Sequence, residues 1–218
     1  MFHSMSRQRV SAAVLSLVLS LILTGCSEDA TKPEPAPEPD PRETRVGVID
    51  MFTDAHEAQN ITDYEACLHP DYEFWFSEDD RSDPSWDWTD WIAESLDVEI
   101  TDRMFDAEEI TNIQLDLGNL TNVEGAESDE DNFLELDIPL DKEDTLTVYW
   151  ADFLVDMHVI ENMTEYQLDH WVDGRAYIYL APDPDDECLW TIWRIEDRGN
   201  EHRKTEKTTW GSLKCLYR

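Results

Sequence analysis

Basic residues are scarce in this chain. Sixteen lysines and arginines stand against 51 aspartates and glutamates, a net charge of -35. A field of that sign repels nucleic acid and anionic lipid headgroups, which excludes both as partners. Cysteine is also sparse, with four in the chain, and no cluster of histidine and cysteine has metal-ligand spacing. The sequence therefore implies no metal and no cofactor. No serine-histidine-acid order, phosphate loop or dinucleotide fingerprint occurs, which leaves the common signatures of hydrolases, nucleotide enzymes and dehydrogenases unmatched. Long apolar runs are missing as well. A membrane span needs roughly 20 apolar residues, and the longest run, Val10 to Leu23, is shorter and broken by Ser11, Ser16 and Ser20.

That run instead has the parts of an export signal: Arg7 and Arg9, an apolar core, then small residues before a cleavage point. Leu23-Thr24-Gly25-Cys26 resembles the lipobox of bacterial lipoproteins, in which cleavage before the cysteine is coupled to its lipidation. The resemblance implies a signal peptide over 1–25, lipidation of Cys26 and attachment to a membrane through that lipid. An ordinary cleaved signal and an uncleaved amino-terminal anchor are the other two readings. Ser27 follows the cysteine; lipoproteins similar to this one go to the outer membrane, facing the periplasm, when that position is not aspartate. Residues 26–44 carry Pro33, Pro35, Pro37, Pro39 and Pro41, which forbid a helix and favour an extended spacer of roughly 3.1 Å per residue.

Residues 45–218 suit one domain with one sizeable core. Acidity of this degree can signal disorder, but nine tryptophans and an aromatic content of 11% argue for a folded domain. The acids alternate with apolar residues, as in "FLELDIPL" and "ADFLVDMHVI", the pattern of charge worn on a solvated outer face. With Cys26 lipidated, Cys67, Cys188 and Cys215 remain, enough for at most one internal bridge. A closing hairpin with Asp197 opposite Glu206 would set Cys188 opposite Cys215, and a slip of one residue would separate them. Cys67 reads as a small apolar core residue.

Val48, Ile49, Met51, Phe52 and Ala55 recur at helical spacing over 45–59, and Thr62 is a candidate cap for a short second helix. "DYEFWF" reads as a strand and 78–83 as an acidic loop. Trp88, Trp91, Ile92, Ser95 and Leu96 share a face of a third helix. Beyond it the period changes to two, predicting strands over 110–120, 133–140, 146–160, 166–180, 189–197 and 208–217. Helices followed by antiparallel strands give an α+β fold, with helices packed on one face of a curved sheet.

This order, with "VIDMFTDAHEAQNITDYEACLHPDYEFWF", "WDWTDWIAESL", "LWTIWRIEDRG" and "TTWGSLKCLYR", resembles the nuclear transport factor 2-like superfamily, which includes SnoaL-like and ketosteroid-isomerase-like proteins. The resemblance implies a cone-shaped curved antiparallel sheet packed on N-terminal helices, with a pocket in its open end. Candidate walls are Phe52 and His56, Tyr72, Phe74 and Phe76, Trp91, and Tyr149, Phe153 and Trp193. The same spacing is what a packed aromatic core produces.

The ketosteroid-isomerase comparison puts Trp75 or Phe76 where the base aspartate would stand. Asp152, Asp156 and Asp169 could be offered for the acid-base aspartate of SnoaL-like cyclases, but alternation puts Asp152 and Asp156 opposite Phe153, Val155 and Met157, on the solvent face. His56 is the least improbable catalytic group. The expected function is a membrane-anchored envelope lipoprotein with a non-catalytic domain that binds a small apolar ligand or an envelope protein, as a monomer or weak dimer. Two alternatives stand beside it. One is a SnoaL-like enzyme, of isomerase, cyclase or hydrolase type, acting on an apolar or cyclic small molecule. The other is sugar binding through an exposed groove of Trp75, Trp86 or Trp88.

Overall fold

The computed structural model describes residues 39–82, 89–140, 144–199 and 209–218. Expectations for the signal, Cys26, most of the spacer, Trp86, Trp88 and Glu206 lie outside the described residues.

Helix α1, Arg45–Glu57, starts where the Thr44 side chain accepts a hydrogen bond from the Gly47 amide at 2.9 Å. It buries Val48, Ile49, Phe52, Ala55 and His56, a one-sided stripe at helical spacing. Gly47 is fixed by close approach: a Cβ there would sit 2.0 Å from the Pro41 carbonyl oxygen. Helix α2, Ile61–Ala66, is capped by Asn60, which accepts from the amides of Thr62 and Asp63, so the cap falls two residues before the expected Thr62.

Strand β1, Leu68–Trp75, is followed by a short helix α3, Glu78–Ser82, where an acidic loop was expected. Trp91–Ala93 is a strand, β2, which pairs antiparallel with β1 through Phe74 and Ile92; helix α4 begins only at Glu94 and runs to Asp106. The helical spacing of Trp91 and Ile92 was therefore misleading. Pairing with an open sheet edge overrides local periodicity there.

Strands β3 (Ile110–Asn119), β4 (Leu134–Pro139), β5 (Thr145–Asn162), β6 (Gln167–Pro182) and β7 (Trp190–Gly199) fall close to the alternating segments. The sheet order is β2-β1-β7-β6-β5-β3, with β4 pairing the first part of β5. All described pairings are antiparallel except β1 with β7, which is parallel. Register shifts between Arg175 and Ala176 and between Tyr179 and Leu180 mark where β6 and β7 bend, helping the sheet to curl. The domain is thus α+β, with helices against the inner face of a curled sheet.

The last segment departs furthest from expectation. Trp210–Leu216 is a helix, α5, in place of the closing strand over 208–217. Thr209 caps it by accepting from the Ser212 amide at 2.9 Å, and its inner side buries Trp210, Gly211, Leu213 and Lys214. Cys215 lies on this helix, so no strand among the described residues sets it opposite Cys188. Both are free thiols, Cys188 exposed and Cys215 half-buried.

Candidate functional site

Five elements converge on the inner side of the sheet. Phe52 and His56 come from α1, Tyr64 from α2, Tyr72 and Phe74 from β1, Asp97 and Thr101 from α4, and Trp210 and Lys214 from α5; each is buried. Trp210 fills the centre, with ring centroids 5.7 Å from Phe74, 6.0 Å from Phe52 and 6.2 Å from His56.

Beside this aromatic packing lies a charged pair sealed from water. Lys214 Nζ is 2.7 Å from Asp97 Oδ1, with side-chain exposures of 3% and 0%. The contact is an ion pair whose angle falls outside hydrogen-bond geometry, so Asp97 Oδ1 accepts no regular hydrogen bond. Oδ2 accepts one from the Tyr64 hydroxyl. Lys214 Nζ also lies 3.4 Å from the Tyr64 oxygen and donates to Thr101 Oγ1 at 3.3 Å. Burial, then the nearby Asp97 charge, pushes the Tyr64 and Tyr72 hydroxyls well above the usual tyrosine range. Both remain neutral, and Tyr64 donates to Asp97.

Besides Asp97 Oδ1, two further buried polar atoms in this region have no hydrogen-bond partner: His56 Nε2 and the Tyr72 hydroxyl. Tyr72 is close enough to feel Asp97 and Tyr64, but its contacts lack hydrogen-bond geometry. For His56 the tautomer follows from the other nitrogen. Nδ1 lies 2.9 Å from the Phe52 carbonyl, which can only accept, so Nδ1 carries the hydrogen and Nε2 presents a bare lone pair. Burial lowers the His56 pKa to about 3; the Phe52 carbonyl opposes this and the Lys214 charge adds to it. The ring is neutral throughout the physiological range. A general base with so low a pKa has little driving force to take a proton from carbon or water.

A polar seam fastens the start of α5. Asp80 accepts from the hydroxyls of Ser77 (2.7 Å), Thr209 (2.7 Å) and Ser212 (2.5 Å). Asp197 accepts from the amides of Gly199 at 2.7 Å and Gly211 at 2.9 Å. Burial raises the Asp197 pKa to about 7 against the pull of those two amides, and Asp80 raises it further. Gly211 is required here. A Cβ would meet Asp80 Oδ2 at 2.6 Å and the Phe76 ring at 2.7 Å.

Of the sequence-derived wall residues, Phe52, His56, Tyr72 and Phe74 meet in this interior. Phe76 adjoins it through Phe74, with centroids 5.4 Å apart. Phe153 is buried against Phe133. Tyr149 lies with the start of α1, its ring 4.6 Å from the Arg45 guanidinium and its hydroxyl donating to Glu135. Arg45 and His56 are separated along α1 by about 16 Å at 1.5 Å per residue, so Tyr149 is no wall of the same site.

Two expectations are corrected outright. Trp91 is 38% exposed on β2 and stacks on Trp75, with centroids 6.5 Å apart. Trp193 packs in a separate small cluster with Val148 and Ala181, because the irregular register between β6 and β7 sends it away from the main core. Sequence spacing does not single out Tyr64, Asp97, Thr101, Trp210 or Lys214 as site residues. Asp97 did leave a trace: it shares helical spacing with Ile100, Thr101 and Met104, a lone acid in a buried stripe.

A cleft of about 460 Å³ opens beside Trp75, Ser77, Arg81, Asp197 and Arg198, and a void of about 10 Å³ lies near Val172 and Trp210. Neither is lined by His56, Tyr64, Tyr72 or Asp97. Segments 83–88 and 200–208, which continue the chain from the walls of the larger cleft, are outside the described residues, and no site is assigned to it.

No protein-family model matches this chain, and no curated protein matches it. Solved structures with a similar fold include a conserved protein from Planctomyces limnophilus, at 8% identity and TM-score 0.44 over 69% of this chain and 88% of that one. A nuclear transport factor 2-like superfamily protein from Salmonella enterica serovar Typhimurium aligns at 14% identity and TM-score 0.39 over 74% and 92%. ActVI-ORFA from Streptomyces coelicolor aligns at 10% identity and TM-score 0.40 over 69% and 90%. Function is left to the residues of the site.

Proposed function

We propose that this protein is a lipid-anchored module of the bacterial cell envelope whose domain binds a small molecule in its interior without transforming it. The observation that carries the reading is the sealed cluster around Asp97 and Lys214, with an unfilled acceptor on His56 beside it. Apolar residues of similar volume at a buried ion pair are often neutral or stabilising, so the cluster is better accounted for by recognition than by stability. Catalysis is disfavoured by the chemistry of the groups present. Asp97 is engaged by Lys214 and Tyr64, and His56 is too weak a base at neutral pH.

The anchor rests on the lipobox-like Leu23–Cys26 stretch and the proline-rich spacer. Lipidated Cys26 would hold the domain at a membrane, by the Ser27 reading the outer membrane, with its working surface in the periplasm. The domain is proposed to act as a monomer or weak dimer.

Native mass spectrometry of the exported protein, purified gently and compared before and after denaturation, tests the binding reading. A stoichiometric extra mass released on denaturation supports it. A bare polypeptide mass, together with no stabilisation by any member of a metabolite panel, would overturn it. The anchor is tested by detergent-phase partition: Cys26→Ser should move the protein to the aqueous phase, and unchanged partition would remove the anchor from the account.

A further inference from the structure

Helix α5 carries both an aromatic ring and a cation into the interior. Trp210 and Lys214 are four residues apart and so share a face. One places an indole among Phe52, His56 and Phe74, and the other places an ammonium on Asp97. The ammonium is bound as free organic cations are bound. It pairs with a carboxylate at 2.7 Å, donates to Thr101 Oγ1, and lies 5.1 Å from the Phe74 ring centroid and 5.7 Å from that of Tyr64. The bare lone pair of His56 Nε2 is a further acceptor that Lys214 leaves unfilled. Asp97 and that lone pair both select for a donor, and they disfavour an anion.

The helix has little stability of its own to hold it there. Seven residues are too few for a helix to be stable on its own in water, so α5 is held by its contacts alone: the interior side chains and the seam at Asp80 and Asp197. A competitor that satisfied Asp97 could release it locally.

We propose that the interior site takes an organic ammonium ion with an apolar or aromatic body, and that α5 is its built-in stand-in, displaced when the ligand enters. This rests on the interior-binding reading above and adds the ligand class and the helix that guards it. The full-length wild-type chain would be titrated with 2-phenylethylammonium and, separately, with neutral 2-phenylethanol, while hydrogen exchange is followed at the amides of Gly211 to Tyr217. The expected result is a saturable loss of α5 protection that the amine produces at about tenfold lower concentration than the alcohol. Lys214→Ala, which vacates the ammonium position, should bind the amine about tenfold tighter than wild type, read as a rise in Tm.

Equal responses to amine and alcohol would overturn the ammonium class while leaving interior binding intact. Binding with α5 protection unchanged would overturn the stand-in. No effect of either compound on exchange or on Tm would overturn this inference, whereas the mass-spectrometric test of interior binding would stand separately. Should Lys214→Ala fail to fold, the wild-type titration decides alone.

Discussion

The two faces of the long strands handle charge in opposite ways. On the inner face of β5, Ala151, Phe153, Val155, Met157 and Val159 are buried without interruption, and the polar groups nearby are few and sealed. On the outer face, Asp152 pairs with Arg175 across β5 and β6, and Arg194 reaches Glu73 at 2.7 Å between β7 and β1, all with part of their side chains in water. A buried pair that loses one member strands a charge, whereas an exposed pair hands its remaining member back to solvent. Charge type alone therefore says little about what a residue does here. The face it occupies decides.

The sharpest way to break the contrast is Lys214→Met, which takes the cation away from Asp97 and leaves it the Tyr64 hydroxyl as its partner. Unfolding by denaturant should show a loss of about 3–5 kcal/mol, and adding Asp97→Asn should recover much of it. Equal losses in the single and double variants would mean that packing by the lysine stem, and not its charge, holds this region.

The pH response comes next, because two buried groups pull in opposite directions. The His56 pKa is about 3 in the folded protein and ordinary in the unfolded chain, so as pH falls below 6.5 the unfolded chain takes the proton first and stability is lost. Relative to wild type, His56→Phe should therefore gain about 2 kcal/mol between pH 6.5 and 4.5. The Asp197 pKa is raised to about 7, so its penalty is fully present above pH 7 and fades as pH falls toward the ordinary carboxylate range. Asp197→Asn should accordingly lose ground to wild type as pH drops from 7 to 4. Thermal melts across that range read both, and parallel profiles for the two variants would contradict the assignment.

The smallest effect is expected outside. Arg194→Met, which removes the pair with Glu73 and the stacking of the guanidinium over Trp193 at 4.3 Å, should cost about 1 kcal/mol or less by the same unfolding measurement. A loss as large as that of Lys214→Met would erase the distinction between the faces.

Much of this architecture is legible in the chain. The alternation of β3 to β7 and the stripe of α1 mark elements whose local pattern and tertiary surroundings agree. Where they disagree, the sequence misleads. "WIA" carries helical spacing but completes a sheet edge. "TTWGSLKC" alternates like a strand, yet its start is fastened by Asp80, 129 positions earlier, and by Asp197. The site suffers from the same distance. Phe52, His56, Tyr72 and Phe74 are near one another in sequence and could be grouped. Lys214 meets the Tyr64 hydroxyl across 150 positions, which no short-range pattern reports. Once α5 was read as a strand, its lysine and tryptophan had no route to the interior.

The interior is sealed and holds an unfilled acceptor, and the state of His56 reports on it most directly. Nitrogen-15 NMR of the imidazole, recorded in the full-length protein between pH 8 and pH 4, should show the neutral ring with its hydrogen on Nδ1 and an unbonded Nε2 throughout, because the pKa is about 3. A ring that titrates near the ordinary histidine value would mean that water reaches the interior, and would contradict the account.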